Sequence, residues 1–328
     1  MSRFLAFAFL LLPLALAGGN FAGWPTESDA FDGGGTYESF IQGTAGHPPS
    51  SGLFGDVRNN GYRFHEGIDI KSVRRDKKRE PLDEVRAAMD GKIVHINRVG
   101  GRSGYGKYVV MEHPDANVPV YTLYAHMAEV EESLKVSDRV GRGGRLGRMG
   151  HTAMYKIGKD QAHLHFEIGL RLCDDFDRWY SKQKFKEKNH FGNYNGMNLF
   201  GMDPLAFLTA DRDGDFNGDF AEYIRRQPTA FVVRFYTAKT PDFVLRYPAL
   251  ADARGLKCGW DIHFTWFGMP KTFERIKNPR IGAKDGEYEI VGYDPAEIRR
   301  KARVHIVEDS KGGLKATRLL ESTLEKMF

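Results

Sequence analysis

The chain has 328 residues, of which 41% are hydrophobic and 28% are charged, so a wholly disordered or fibrous protein is excluded. This length is enough for two ordinary domains. The formal net charge is +5 and the pI is about 9.0, an excess of positive charge that suits an acidic polymer as partner. Aromatic residues do not alternate with the basic ones as they do in nucleic-acid modules, so no nucleic-acid partner is predicted.

Residues 1–17 are predicted to be a signal peptide. Arg3 precedes the apolar run Phe4–Ala17, which ends in an A-x-A cleavage pattern before Gly18. The run is too short to span a bilayer comfortably, which favours cleavage over an uncleaved membrane tether. We therefore expect an exported protein of the periplasm, cell envelope or medium, which begins at Gly18 and has no stable membrane insertion.

The next two segments differ in amino-acid composition. Residues 18–51 are rich in Gly, Pro and Ser and are predicted to be an extended leader with little regular structure. Residues 52–208 contain short β-branched and aromatic runs between Gly-rich turns, which is typical of a mainly antiparallel β domain. The strands predicted there are Lys92–Asn97, Lys107–Glu112, Val118–Ala125 and His163–Gly169. Residues 136–150 repeat Gly every few positions, which favours tight turns, and residues 174–190 are predicted to be a charged helical insertion.

Residues 209–328 are predicted to form a second, α+β unit of unknown role. Strands are predicted over residues 230–237, 261–267, 287–291 and 303–307, and a closing amphipathic helix over residues 314–327. No ligand constellation occurs in this unit, so we expect it either to dock on the substrate or to pack on the β domain. The absence of a long flexible linker favours packing.

Two further features leave alternatives open. The only cysteines, Cys173 and Cys258, could pair or remain free thiols. An acidic segment has the spacing of the first part of a calcium loop, with oxygen ligands at Asp213, Asp215, Asn217 and Asp219. The position of the bidentate Glu in such a loop holds Ile224, so a linker turn is favoured over a Ca²⁺ site.

Two short motifs bring metal-binding side chains together. In H-E-G-I-D, His65 and Asp69 can reach one point if the chain turns into a strand, and Gly67 disfavours a helix there. In H-L-H-F-E, strand alternation puts His163 and His165 on one face. Two His and one Asp meet the ligand count of a catalytic zinc site, which keeps its fourth position for water.

A third histidine extends this chemistry. His126 ends the aromatic run Y-T-L-Y-A-H-M, where it could face the same groove. Zinc lowers the pKa of its bound water to about 7. An unliganded His nearby could accept the proton of that water or stabilise the oxyanion that follows attack.

In these motifs the chain resembles the lysostaphin-like peptidoglycan endopeptidases, metallopeptidase family twenty-three. That family carries H-x-x-x-D, then an aromatic-rich strand ending in Y-x-H, then H-x-H followed by F-E. The same motifs stand here in the same order at residues 65–69, 124–126 and 163–167. The similarity covers roughly residues 52–208, about half the chain. It implies a lysostaphin-like β-sheet groove of the duplicated-hybrid-motif type.

The resemblance also implies roles for individual residues. His65, Asp69 and His165 would bind one Zn²⁺ per chain. His126 and His163 would be the catalytic histidines, which do not bind the metal but orient and deprotonate the attacking water and stabilise the tetrahedral intermediate.

The implied function is that of a secreted zinc metalloendopeptidase that hydrolyses peptide bonds in the stem peptides or cross-bridges of peptidoglycan. The alternative is a non-hydrolytic peptidoglycan-binding or regulatory protein that keeps the peptidase fold, and the retention of every motif residue disfavours it. Glu167 could fix the tautomer of a ligand histidine. The charged loop at residues 74–80 and the long loop at residues 152–162 depart from the family pattern and could line the cleft, so bond specificity is not implied.

Overall fold

Short strands joined by tight turns account for most of the architecture. The computed structural model describes residues 20–58, 63–114, 116–300 and 306–328, so the predicted signal peptide lies outside the described residues. Over these ranges the chain forms nineteen β-strands and seven α-helices. Every strand pair except one is antiparallel within the same ranges. The predicted fold class, mainly antiparallel β with a C-terminal α+β unit, is confirmed.

The N-terminal two thirds of the chain hold twelve of these strands over the described residues. They are β1 (Val57–Arg58), β2 (Arg63–Phe64), β3 (Ile68–Lys71), β4 (Glu84–Arg86), β5 (Gly91–Asn97), β6 (Lys107–Glu112), β7 (Tyr121–Met127), β8 (Glu129–Val130), β9 (Arg139–Val140), β10 (Arg145–Arg148), β11 (His163–Arg171) and β12 (Leu199–Met202). The largest sheet has the order β12-β11-β7-β6-β5-β9, and β3 lies beside β12 along the same edge of β11. β4, β10 and β8 form a smaller sheet, and β1 pairs with β2.

The two faces of the large sheet differ in the residues that they carry and in what packs on them. Side chains alternate along a strand, so Leu164, Phe166 and Ile168 of β11 enter the main hydrophobic core. The opposite face of β11 carries the motif histidines and continues onto β7, where Leu123 and Ala125 pair with Glu167 and His165. A second, smaller core covers part of this face, and residues that follow the predicted insertion pack on it.

The insertion contains one α-helix, α2 (Phe176–Lys182), which is shorter than the predicted 174–190. Phe191 and Tyr194, which directly follow the predicted insertion, pack against the smaller core. This segment therefore closes one part of the motif-bearing face, and the exposed remainder holds the candidate site.

The predicted leader has little regular structure, with one short helix, α1 (Tyr37–Phe40). It nevertheless belongs to the folded body. Trp24 stacks on Phe31 with ring centroids 4.8 Å apart, and both side chains are buried. Ile41 is fully buried and forms a bridge with Ile70 of β3, so the leader extends the sheet beyond β3.

The C-terminal unit has its own five-stranded sheet and a small hairpin. Its strands are β13 (Phe231–Tyr236), β14 (Ala251–Asp252), β15 (Gly259–Phe264), β16 (Pro270–Arg275), β17 (Tyr288–Tyr293), β18 (Val307–Ser310) and β19 (Gly313–Ala316). Its helices are α3 (Pro204–Arg212), α4 (Phe220–Arg226), α5 (Asp242–Arg246), α6 (Pro295–Arg299) and α7 (Arg318–Met327). The helix predicted over residues 314–327 was too long, because residues 314–316 belong to β19. Of the predicted strand at 303–307, residues 303–305 lie outside the described residues.

One continuous hydrophobic core joins the two halves. Buried residues from the large sheet, from the leader and from α3, α4, α7 and the C-terminal sheet belong to the same cluster. Ionic contacts reinforce this packing, since Arg246 of α5 lies 2.5 Å from Glu112 of β6. The Tyr247 hydroxyl also accepts a hydrogen bond from the Arg171 backbone N–H at 2.9 Å. The C-terminal unit packs on the β domain.

The two cysteines do not form a disulfide bond with each other. Cys173 is buried, Cys258 is partly exposed, and both are free thiols. Within the described ranges, no helix is long and apolar enough to cross a membrane.

Candidate metal centre

Three motif side chains converge on one point at the edge of the large sheet. Asp69 of β3 and His165 of β11 face each other in register, and the chain turns at Gly67 to bring His65 beside them. The Asp69 Oδ1 atom lies 2.9 Å from His65 Nε2 and 3.0 Å from His165 Nδ1. These two ring nitrogens lie 3.1 Å apart. Over the described residues, this is the one group of three or more potential ligands whose atoms lie close enough together to hold a metal ion.

The protonation pattern of the two imidazoles fits a cation at this point. His65 Nδ1 donates to the Leu53 carbonyl at 2.9 Å, and His165 Nε2 donates to Glu167 Oε1 at 2.9 Å. Their other nitrogens therefore present lone pairs, and they do so towards a carboxylate oxygen. Three acceptors about 3 Å apart repel one another unless a cation or a proton lies between them, and ligand atoms around a tetrahedral Zn²⁺ are ~3.3 Å apart. The donor set and its spacing thus fit the metal that the sequence implies.

The pKa values in the cluster follow from the same geometry in the absence of a metal. Burial opposes charge on Asp69, yet the neighbouring His65 and His163 hold the pKa of its carboxyl well below the usual range. Burial likewise lowers the pKa of His165, but its hydrogen bonds to Asp69 and Glu167 outweigh that effect and raise the pKa to about 9. Each of these groups favours a positive charge at the point of convergence.

His126 and His163 lie beside this cluster and are both buried or nearly so. Their ring centroids are 4.8 Å apart. His126 Nδ1 donates to the Thr152 carbonyl at 2.9 Å and His163 Nδ1 donates to the Gln161 carbonyl at 2.7 Å, so the lone pair of each ring is on Nε2. His163 Nε2 lies 3.5 Å from Asp69 Oδ1. Burial lowers the pKa of both imidazoles, which keeps them neutral near pH 7.

The backbone around His126 is held in an unusual conformation. His126 has a φ of +60°, which non-glycine residues adopt rarely and at a cost in free energy. Its partner Thr152 packs tightly against Gly106, where a Cβ atom would lie 1.9 Å from the Thr152 carbonyl oxygen. The main chain is therefore shaped to present the imidazole of His126 to the groove.

Glu167 is fully buried beneath the cluster. Besides accepting from His165, it accepts a hydrogen bond from the Tyr121 hydroxyl at 2.8 Å. The hydrogen bond to Glu167 fixes the tautomer of His165. The sequence suggested this role for Glu167. No motif in the sequence pointed to Tyr121, although the alternation of β7 places its side chain on the face of the histidines.

The cluster opens into a cavity of about 380 Å³. The five motif residues and Glu167 line it together with residues 43–45, 63–66, 103–105, 155–158 and Gln161. Residues 43–45 of the leader were not predicted to belong to the site. The aromatic residues that precede them, in a stretch otherwise rich in Gly and Pro, were the signal in the sequence that this segment belongs to the folded body.

The loop at residues 152–162 forms one wall, as its position before H-x-H suggested. The charged loop at residues 74–80 does not line the cavity; it contacts the outer side of this wall instead. Arg79 pairs with Asp160 at 2.6 Å, and Glu80 pairs with Lys159 at 2.7 Å and with His151 at 3.1 Å. The charged loop therefore supports the wall loop from its outer side.

The acidic segment after α3 does not gather its oxygen atoms around a common point. Asp213 pairs with Arg212 at 2.8 Å. Asp219 caps α4 by accepting from the Glu222 backbone N–H, and Asn217 bonds to the Glu222 side chain. Over the described residues, none of the four candidate ligands, which include Asp215, belongs to a group of side chains that could hold a metal ion. The turn that the sequence favoured accounts for the segment.

Comparison with known proteins places the site within a family. Residues 63–175 match the model of peptidase family M23. No curated protein matches the chain.

Solved structures that resemble the chain are distant. They include a zinc containing peptidase from Vibrio cholerae, with 22% identity and a TM-score of 0.30 over 46% of this chain and 36% of that chain. The catalytic domain of lysostaphin from Staphylococcus simulans has 19% identity and a TM-score of 0.31 over 48% of this chain and 89% of that chain. The catalytic domain of the prophage-encoded M23 protein EnpA from Enterococcus faecalis has 19% identity and a TM-score of 0.29 over 39% of this chain and 79% of that chain. The present chain thus spans about a third of the Vibrio cholerae protein.

The matched segment contains all three motifs, at residues 65–69, 124–126 and 163–167. Residues 63–175 are a domain of peptidase family M23.

Proposed function

We propose that this protein is an exported zinc metalloendopeptidase that hydrolyses peptide bonds in the stem peptides or cross-bridges of peptidoglycan. The observation that carries the proposal is the convergence of the lone pairs of His65, Asp69 and His165 within about 3 Å, at the floor of a cavity that also holds two neutral histidines. Membership of residues 63–175 in a peptidase family supports hydrolysis as the reaction. Peptidoglycan as the substrate rests on the resemblance to the lysostaphin-like endopeptidases.

The assigned roles divide between binding the metal and moving protons. His65 Nε2, Asp69 Oδ1 and His165 Nδ1 would hold one Zn²⁺. When bound, Zn²⁺ would supply a Lewis acid for the scissile carbonyl and lower the pKa of a water molecule to about 7. His126 and His163 each have an unprotonated Nε2, with which one of them can accept the proton of the attacking water and return it to the leaving amine. In its protonated form the same imidazole can stabilise the negative charge of the tetrahedral intermediate.

Substitutions should separate the two roles. We expect His65→Ala, Asp69→Ala and His165→Ala to remove zinc and activity together, because each takes away a ligand atom. We expect His126→Ala and His163→Ala to keep about one zinc per chain and to lose turnover by a factor of 10² or more. Zinc content by metal analysis and release of muropeptides from purified sacculi by mass spectrometry measure both. Loss of zinc in His163→Ala with retention in His165→Ala would reverse the assignment within H-x-H.

The same measurements distinguish the non-hydrolytic alternative. A zinc-loaded protein that binds sacculi but releases no muropeptide would be a peptidoglycan-binding or regulatory protein with the peptidase fold. Export is tested separately, since N-terminal sequencing of the mature protein should begin at Gly18, and retention of residues 4–17 would indicate a tethered enzyme instead.

A further inference from the structure

Two cationic side chains lie at the walls of the cavity. Arg63 comes from β2, and Lys156 comes from the wall loop at residues 152–162. Both side chains are exposed and both line the same cavity as the candidate metal ligands. The guanidinium of Arg63 lies over the ring of Tyr155, the neighbour of Lys156, with its Cζ 5.3 Å from the ring centroid. The two walls therefore bring their cations to the same part of the mouth.

Within the described ranges, neither cation is part of an ion pair, in contrast to the two basic residues on the outer side of the wall. Arg79 and Lys159 on the outer side of the wall are each paired with a carboxylate. Arg63 stacks on an aromatic ring instead. Stacking holds a guanidinium in place and leaves its N–H edge free to bind a planar carboxylate.

Three acidic residues line the cavity, and none of them is fully exposed. Asp69 belongs to the ligand cluster, and Glu167 is fully buried between His165 and Tyr121. Glu66 is half-buried and interacts electrostatically with Arg63 as well as with Glu167, His165 and the buried Lys326 of α7, but among the described residues it forms no ion pair with Arg63. The fully exposed charged side chains of the lining are those of Arg63 and Lys156.

We propose that Arg63 and Lys156 bind a free carboxylate of the substrate, and that the preferred substrate is a peptide with an unamidated acidic group beside the scissile bond. This inference rests on the proposed function and names the substrate class of the same site. The neighbouring Tyr155 would hold Arg63 in the orientation that meets the carboxylate. Arg63 and Lys156 are thus specificity-determining residues that take no part in the chemical step.

The experiment compares one substrate in two charge states. A soluble cross-linked muropeptide dimer is prepared in its native form and with its free carboxylates converted to carboxamides. The zinc-loaded mature protein should cleave the native dimer with a kcat/KM about tenfold higher than the amidated dimer, with most of the difference in KM, because a hydrogen-bonded charge pair has about this effect.

Variants then assign the preference to the two residues. Arg63→Gln and Lys156→Gln should each lower kcat/KM on the native dimer by about three- to tenfold and leave the amidated dimer unchanged. Lys188→Gln is the matched control, since Lys188 is an exposed lysine of the insertion that does not line the cavity. It should change neither rate. Because both cations are exposed, the thermal unfolding midpoints of their variants should equal that of the unmodified protein.

Three results would overturn the inference: equal rates on both dimers, an equal loss on both dimers in the variants, or an effect of Lys188→Gln as large as theirs. Binding of the two dimers, measured by calorimetry, separates this inference from the proposed function. If neither dimer is cut but the native one binds more tightly, and Arg63→Gln abolishes that difference, the carboxylate site stands and the hydrolytic function fails. If neither dimer is cut and both bind equally weakly, the inference fails as well.

Discussion

The side chain of Glu167 connects the candidate metal ligands to the interior of the sheet. Its carboxylate accepts from His165 on one side and from the Tyr121 hydroxyl on the other, with no exposure to solvent. The hydrogen bond to Nε2 leaves the lone pair of His165 on Nδ1. Glu167 therefore fixes the tautomer of a candidate metal ligand without being a ligand itself.

Glu167→Gln should therefore weaken the metal site while leaving its three ligands in place. We expect the zinc affinity to fall by about 10- to 100-fold, because the neutral amide holds the imidazolium or the ligated imidazole less strongly. Competition with a chromophoric chelator measures this affinity. Tyr121→Phe is the control, since it removes the second hydrogen bond and keeps the carboxylate, and it should cause a smaller loss. An unchanged affinity in Glu167→Gln would mean that the contact with His165 has no part in metal binding.

The sequence predicted which side chains share a face wherever those residues lie close together along one strand. The alternation within H-L-H-F-E was enough to predict that His163, His165 and Glu167 share a face, and the register of β11 with β3 places Asp69 opposite His165. Arg63 and Tyr155 could not be linked in the same way. They are distant in sequence and meet because the fold brings β2 beside the wall loop, which no local pattern encodes.

Among the elements, the leader departs most from what its composition suggests. Ile41 forms a bridge with Ile70 and is fully buried, and the Gln42 backbone N–H donates to the Asp69 carbonyl at 2.8 Å. The leader thus supports the strand that carries Asp69 and also contributes residues 43–45 to the cavity.

Ile41→Ala should lower the free energy of unfolding by about 2–4 kcal/mol, because it leaves a cavity beneath β3. We expect Ile41→Val to lower it by only about 1 kcal/mol. Leu245→Ala is the control, since that side chain is 67% exposed and its removal should change stability by less than about 0.5 kcal/mol. Chemical denaturation measures all three. If Ile41→Ala were as stable as the control, the leader would be dispensable for the folded body.

The strands of the large sheet were the most predictable elements. β6 has the predicted bounds, and β5 and β11 begin within one residue of theirs, because β-branched and aromatic runs end in Gly or Asp turns there. The predicted helix at residues 314–327 included residues of β19, since Leu314 and Ala316 fit the helical pattern as well as the strand pattern. Helices α3 and α4 were not predicted, because their short lengths give little periodicity to detect.

Contacts between the leader and the start of the C-terminal unit help to hold the whole molecule together. The Asp211 carboxylate accepts hydrogen bonds from the backbone N–H groups of Phe21 and Ala22 at 3.0 and 2.8 Å. The ring of Phe21 also lies edge-on to Phe216 and Phe220, with centroids 5.6 Å away in both cases. The leader is thus bound by the start of the C-terminal unit as well as by the large sheet.

A chain that ends at Leu208 should consequently lose stability and peptide cleavage together, because truncation would expose the apolar surface shared with α4, α7 and the C-terminal sheet. Thermal unfolding and cleavage of a soluble muropeptide measure the two effects. A truncated protein that retains full stability and peptide cleavage, and loses only its binding to intact sacculi, would show instead that the C-terminal unit serves only for docking.

The bond between Asp211 and Ala22 also bears on the order in which the chain folds. Its two residues are 189 positions apart, and closing a loop of that length requires most of the chain to be present. We therefore expect the part of the cavity that the leader lines to be completed late, after the segment beyond residue 211 has been synthesised. Until then the chain resembles the one truncated at Leu208, for which we predict low stability and little peptide cleavage. Such late assembly would keep the nascent peptidase domain inactive until the whole chain has been made.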